Sequence, residues 1–570
     1  MALAACSGLK DGNYSLTLLT TNDVHGRFFD STYVDANLRK SLIGVSRIVD
    51  SVRVADGAEN VVLVDAGDCL QGDNAAYFFN YVDTLGPHLY SRMVDYLHYD
   101  ALAWGNHDVE TGHKVYDRVF SEMKAFKVPL LAGNAIRNDN GKTYFPLYTV
   151  VRRAGLKIAI LGYTNANIKA WLNEEIWSGM HFDRIMDHVQ EDVDRVRAKE
   201  KPDVVIAAMH SATGKGDGSI AEAEALDVFR SVRGVDFVVC AHDHRPYTEQ
   251  NDTMALVNSG SHCRYVGIGK LSLRVEGGKV TEKHITGGLI PVFAENADTV
   301  MRETFHDDYL KVKAFTLQEV GRLEGDLVTR EAYKGMCTYL NLVHTLQLGC
   351  PPAQISIAAP LTYDGTVKAG TLIYNDLFTI YPYENQLYVV RMTGDELLKL
   401  LEASYDHWIR TVKGPGEHVL NIRERDDPRT GQKGWSFAER SYNFDSAAGI
   451  CYTVDVTRPA GERVQVASMA DGSAFDPAAE YAVAMTSYRA SGGGGLMKAA
   501  GIDTDKIDDR VISRYPEIRE ILYDYLKKNG VIDPAVVGNP AVIGSWRFVP
   551  DAWAPKSLES DLKLLFGRDE

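Results

Sequence analysis

The sequence predicts an α/β protein of two domains, and three observations carry that reading. From about residue 14 to 290, short apolar runs alternate with amphipathic stretches whose apolar residues recur every three or four positions. Residues 297–319 form a charged stretch without Gly or Pro, which reads as a single helix joining two halves. Beyond about residue 322 the pattern changes, with helix-like and strand-like segments no longer alternating regularly. The expected division is therefore a first domain over 8–296, a linker helix over 297–319 and a second domain over 320–550.

In the first half the expected strands are 16–19, 61–64, 101–104, 156–161, 204–208 and 237–240. Helices are expected around 88–98, 113–125, 183–199 and 221–232. In the second half, helices are expected at 331–347 and 394–405 and strands at 387–391 and 450–456. Residues 412–445, rich in charge, Gly and Pro, read as long loops.

Composition removes several classes of function. The chain has 570 residues, 45% of them hydrophobic and 24% charged, which fits neither a disordered nor a fibrous protein. No apolar run approaches the roughly 18–20 residues of a membrane-spanning helix. A net charge of −16 argues against binding a nucleic acid polymer, whose affinity comes from Lys and Arg. A small anionic substrate remains open if bound metal ions supply local positive charge. The seven cysteines are scattered without a Cys-x-x-Cys pair, so no disulfide framework is expected.

Polar clusters follow five of the apolar runs. They are Asn22-Asp23-Val24-His25, Asp65-Ala66-Gly67-Asp68, Gly105-Asn106-His107-Asp108, His210, and His242-Asp243-His244. Any one of them has an ordinary explanation, since Asp, Asn and Gly favour turns. Five at the same end of successive strands can converge, because strand ends form the ligand crevice of α/β sheets. They offer imidazole, carboxylate and carboxamide groups and no thiolate, a mixture that suits Zn, Mn or Fe(II).

In these blocks the sequence resembles the calcineurin-like metallophosphoesterases, whose pattern is D-x-H, G-D, G-N-H-[DE], a lone His and G-H-x-H. Ala241 departs from the usual Gly of the last block. The resemblance implies two divalent metal ions per chain, with sheets flanked by helices around them. Asp23, His25 and His244 would hold one ion, Asn106, His210 and His242 the other, and Asp68 would bridge. His107 would stand beside the substrate, oriented by Glu110.

The second half adds 377–385 (LFTIYPYEN), Tyr442-Asn443-Phe444-Asp445 and 487–495 (SYRASGGGG). With the metal blocks, these resemble the C-terminal domain of the 5′-nucleotidase superfamily, an α+β nucleotide-binding domain. Within it the likeness is greatest to the 2′,3′-cyclic-nucleotide 2′-phosphodiesterase/3′-nucleotidase branch. The resemblance implies that Tyr383 and Tyr488 sandwich a nucleobase, and that Gly492 and Gly493 let the backbone pass close to the nucleoside. It also implies an active site between the domains, and rotation of one domain against the other.

Two departures separate the chain from the 5′-nucleotidase branch. That branch carries Asn-Gly-Gly-Gly-Ile-Arg where this chain has Ala358-Ala359-Pro360-Leu361-Thr362, and an Asp in Gly-Gly-Asp-Gly where it has Gly494. The expected activity is hydrolysis of 2′,3′-cyclic and 3′-nucleotides. A 5′-nucleotidase or nucleotide-sugar hydrolase, a phosphatase for non-nucleotide esters, and a non-catalytic nucleotide-binding surface protein are the alternatives. Nucleotides are the only expected partners, and no protein partner is inferred.

Leu3-Ala4-Ala5-Cys6 resembles the lipobox of bacterial lipoproteins. An envelope location, periplasmic or surface-bound, is therefore expected, with Cys6 as a lipid attachment point and most of the signal peptide missing.

Overall fold

A computed structural model describes residues 9–426 and 433–567, which fall into two compact units. The first comprises 9–169 and 173–316, and the second 170–172 and 317–567. Cys6 lies outside the described residues.

The first unit is built on two six-stranded sheets. One runs, edge to edge, Lys279–Pro291, Tyr265–Glu276, Gly12–Thr21, Val61–Asp65, Ala101–Ala103, Leu130–Leu131. The other runs Pro246–Gln250, Ala255–Ser259, Phe237–Val239, Val204–Met209, Leu156–Tyr163, Tyr148–Arg153. Gly12–Thr21 through Leu130–Leu131 in the first sheet, and Ala255–Ser259 through Leu156–Tyr163 in the second, pair in parallel and are largely buried on both faces, hence their runs of Val, Ile, Leu and Ala. One core cluster joins the sheets: Leu16, Leu18, Val62 and Val64 pack with Ile158, Ile160, Val204 and Ile206. The other face of the second sheet packs Val205, Ala207 and Val238 against Val189, Val193 and Val196 of helix Ile185–Glu200. All six strands expected in this half are present, each within a few residues.

The segment expected as one helix over 297–319 is two helices, Thr299–Thr304 and His306–Thr316. Phe305 leaves helical geometry at the break and is buried, edge-on to Tyr96 at 5.7 Å. Both helices are fastened to the first unit. Asp298 caps Thr299–Thr304 and accepts from Ser46 Oγ at 2.6 Å, and Asp308 forms a two-pronged pair with Arg92 at 2.8 Å.

The second unit contains a five-stranded mixed sheet, ordered Ser446–Ala448, Ile355–Ala358, Glu480–Thr486, Gln386–Thr393, Val511–Glu517. Helix Gly394–Trp408 starts in a reciprocal cap: Glu396 N donates to Thr393 Oγ1 and Thr393 N donates to Glu396 Oε2. Its apolar face, including Leu397, Leu401, Tyr405 and Trp408, packs in one core with Tyr388, Val390 and Val483.

Two expectations in this half need correction. The helix expected over 331–347 is divided into a tight turn of helix, Thr329–Lys334, and helix Thr338–Leu348, with Gly335 at φ 144° between them. Residues 412–445 are not all loop: Ile422–Asp426 pairs antiparallel with Lys433–Phe437. Only one residue of each strand, Ile422 and Phe437, is buried, so no alternation marks this pair in the sequence.

Candidate metal centre and nucleoside platform

The five polar clusters stand at the C-terminal ends of parallel strands. Asp23 and His25 follow Gly12–Thr21, Asp68 follows Val61–Asp65, and Asn106 follows Ala101–Ala103 in the first sheet. His210 follows Val204–Met209, and His242 and His244 follow Phe237–Val239, in the second. Their ligand atoms gather into two groups, Asp23/His25/His244 and Asp68/His210/His242. His25 Nε2 is 2.9 Å from His244 Nε2, and Asn106 Oδ1 is 2.9 Å from both His210 Nε2 and His242 Nδ1.

Backbone strain accompanies this convergence. Asp23, His25, Asp68, His242 and His244 all have positive φ, from 48° to 73°. Such a conformation costs a side-chain-bearing residue on the order of 1–3 kcal/mol and persists only where its surroundings impose it. Glycines permit the close packing around it: a Cβ on Gly105 would collide with the Asp68 carboxylate, and one on Gly67 would stand 2.6 Å from Gly105 N.

The donor set fits divalent cations. Asp68 Oδ2 is buried with His210 Nε2 at 3.1 Å, and burial pushes the Asp23 carboxyl up to about 8. A bound cation relieves both costs. His210 Nδ1 lies 2.8 Å from Ala66 O and His25 Nδ1 lies 3.3 Å from Gln71 O, contacts that place a proton on Nδ1 and leave each Nε2 to coordinate. Burial and neighbouring imidazoles hold His25 well below its ordinary value, His242 at about 3 and His244 at about 4. These rings are neutral, as ligands must be. His210 differs: burial opposes its charge, but the Asp68 carboxylate outweighs burial and raises it to about 9.

His107 belongs to neither group. Its ring is 5.4 Å from that of His25, and its Nδ1 is 2.5 Å from Glu110 Oε2. The side chain is 28% exposed, more than His25 at 6% and His210 at 0% but less than His244 at 40%. Burial disfavours its charged form, yet the Asp68 and Glu110 carboxylates prevail and hold it protonated, up to about 10.

Three residues with no role read from the sequence support the centre. Asp108 accepts from four backbone amides, Asp68, Cys69, Leu70 and Gly105, at 2.8–3.0 Å, tying together the loops that carry Asp68 and Asn106. An acid at the third position of a helix after Gly is a capping signal, and that was its legible trace. Asn22 donates to Asp23 Oδ2 at 2.7 Å and to Gly260 O at 2.6 Å. His262 stacks on His25 at 5.3 Å and meets His244 edge-on at 5.9 Å. It lies 18 positions beyond His244, outside every motif, so spacing gave no sign of it.

In the second unit, Tyr383 and Tyr488 leave the sheet at one end, because Leu387 pairs with Thr486 in antiparallel register. The Tyr442 ring meets Tyr488 edge-on at 6.4 Å. Gly493 lies directly beneath Tyr488, and a Cβ there would collide with the ring. The space beside Gly493 is thus taken by Tyr488. Gly492 (φ 103°) has Thr504 as its neighbour.

Comparison with known proteins places both halves. The family profile of calcineurin-like phosphoesterases matches residues 16–246, and that of the 5′-nucleotidase C-terminal domain matches 319–501. A trifunctional nucleotide phosphoesterase of Bacillus subtilis is 24% identical over 96% of this chain, which spans 40% of that protein's length. A 2′,3′-cyclic-nucleotide 2′-phosphodiesterase/3′-nucleotidase of Haemophilus influenzae is 25% identical over 94% of this chain and 87% of its own. A Staphylococcus aureus crystal structure described as a 5′-nucleotidase superposes with a TM-score of 0.75 at 19% identity, covering 94% of this chain and 99% of that one.

Proposed function

We propose, for a chain that belongs to the calcineurin-like phosphoesterases carrying a 5′-nucleotidase C-terminal domain, that it hydrolyses 2′,3′-cyclic nucleotides and 3′-nucleotides outside the cytoplasm. The observation that carries the hydrolytic reading is the adjacency of the two ligand groups around buried Asp68. Asp23, His25 and His244 would hold one divalent ion, and Asn106, His210 and His242 the other, with Asp68 shared. Mn, Zn or Fe suits this donor set. Two such ions polarise phosphoryl oxygens and supply a nucleophile at neutral pH.

The chain's own residues then have distinct tasks. Asp108 and Asn22 keep the ligand loops in place. His107, protonated and braced by Glu110, donates to the phosphoryl oxygens as negative charge develops on them. The same proton can pass to the leaving ribose oxygen. Tyr383 and Tyr488 hold the base through their ring faces, which favours breadth over base selectivity.

Preference for cyclic and 3′ substrates is supported by the neighbourhood of Gly494. Its φ is 71°, and a Cβ there would collide with Asn443 Oδ1 and stand 2.5 Å from Arg489 Nη1. No side chain can reach a nucleoside from this position, as an Asp does in the 5′-nucleotidase pattern. Loss of one charge-assisted contact is worth about 1.5–3 kcal/mol. Side-by-side kcat/KM values for 2′,3′-cyclic AMP, 3′-AMP and 5′-AMP test the preference. The first two are expected to lead, and a lead for 5′-AMP would establish the 5′-nucleotidase alternative.

A further inference from the structure

Three arginines are buried among the described residues, Arg463, Arg489 and Arg519, and all lie in the second unit. A buried guanidinium is tolerated only when its donors are well matched, so what each one grips is informative. Two of the three grip the loops that carry Tyr383 and Tyr488.

Arg519, at the start of helix Ile518–Asn529, is 1% exposed. Its guanidinium stacks on the Phe378 ring at 4.0 Å, donates to Tyr381 O at 3.3 Å and pairs with Glu384 Oε1 at 3.4 Å. Tyr381 and Glu384 bracket Tyr383, so the segment is held on both sides of the aromatic residue. Arg489 follows Tyr488 directly and forms a two-pronged pair with Asp445, Nη2 to Oδ2 at 2.6 Å and Nε to Oδ1 at 3.3 Å. It also donates to Gly493 O, to Tyr442 O at 3.2 Å and to Asn443 Oδ1 at 3.4 Å. Arg489 therefore joins three things: the residue preceding it, Tyr488; the glycine beneath that ring; and the loop that carries Tyr442.

We infer that Arg489 and Arg519 are positioning residues for nucleoside recognition, each fixing one aromatic loop in its base-stacking geometry before substrate arrives. The inference rests on the reading of Tyr383 and Tyr488 as the base-stacking pair. Preorganisation lowers the ordering cost of binding, and a planar fork with several donors fixes a loop in a way an ammonium on a flexible stem does not. Arg463 is the internal control. It is equally buried and pairs with Asp406 at 3.3 Å, but donates to Tyr405 O at 3.3 Å and Thr411 Oγ1 at 2.9 Å, in neither tyrosine loop.

The experiment compares Arg489→Lys, Arg519→Lys and Arg463→Lys in the full chain, with 3′-AMP and an aryl phosphate as substrates and thermal midpoints in parallel. All three variants are expected to lose stability. Only Arg489→Lys and Arg519→Lys are expected to raise KM for 3′-AMP, by about 3- to 10-fold, short of the loss of a whole stacked base. Their kcat/KM for the aryl phosphate stays within about twofold of the parent. If Arg489→Lys does not fold, Arg489→Met/Asp445→Asn leaves no lone buried charge and gives the same comparison. An unchanged KM for 3′-AMP, or an equal rise in Arg463→Lys, overturns the inference. Tyr383→Ala and Tyr488→Ala run alongside separate two failures. Tyrosine variants that raise KM while the arginine variants do not refute the positioning role alone. Tyrosine variants that leave KM unmoved refute the stacking reading, and the positioning role with it.

Discussion

The metal centre and the tyrosine platform solve the same problem, holding a few side chains still, by opposite means. At the candidate metal centre Asp23, His25, Asp68, Asn106 and His210 are buried while His242 and His244 are half-buried, and strained backbone at strand ends brings them together: five of the seven expected ligands have positive φ. Tyr383 and Tyr488 are half-buried as well, but here the groups gripping their loops, Arg489 and Arg519, are the buried ones. A group that must bind a cation can be buried because the cation offsets its desolvation. A ring that must meet a base cannot be buried, so its support must be. The two regions should therefore fail differently when altered.

The largest effect is expected at the most buried of the expected ligands. Asp68→Ala or His210→Ala removes a group from the most buried part of the centre, and turnover should fall by orders of magnitude along with metal content. The loss should exceed the about 10–100-fold typical of removing a partner that merely orients a ligand. Metal analysis beside steady-state rates checks this, and a metal-free variant with near-parent turnover would break the comparison.

His107→Ala comes next. It should retain both metal ions and lose about 10²–10³ in kcat, the usual cost of removing one donor to developing negative charge. A variant that loses metal instead would move His107 into the ligand set.

On the platform the expected change is in binding. Tyr383→Ala and Tyr488→Ala each forfeit about 1–3 kcal/mol of stacking, raising KM for nucleotides about 5- to 150-fold while sparing an aryl phosphate. Equal damage to both substrates would make the tyrosines structural.

The smallest effect sharpens the comparison further. Gly494→Ala places a side chain at φ 71° against Asn443 and Arg489. It should cost more than the about 0.4–1 kcal/mol scale of benign glycine replacements, seen as a lowered thermal midpoint. Aryl phosphate turnover should persist in the protein that remains folded.

How far each region was legible follows from the same contrast. The strands of the first unit are doubly buried, so their apolar runs stood out. The expected ligands Asp23, His25, Asp68, Asn106, His210, His242 and His244 follow those runs within a few residues, so local sequence was enough to single them out together. What supports them was less visible. Asp108 holds backbone amides 38–40 positions away, and His262 meets His25 from more than 200 positions along the chain. On the platform the tyrosines were legible by family pattern alone. Arg519 is 136 residues from Tyr383, in a helix whose sequence gives no reason to expect a buried cation. The break at Phe305 was hidden for another reason: with no Gly or Pro in the stretch, nothing punctuates the point at which Phe305 leaves the helix to be buried.

The proposed hydrolysis requires two divalent ions held by the converging strand ends. Chelator-stripped protein titrated with Mn²⁺, with bound metal counted and 3′-AMP hydrolysis measured at each step, tests it directly. The expected result is two ions per chain, with activity that rises as the sites fill. Full turnover in the stripped protein, or a chain that takes up no metal, would contradict it.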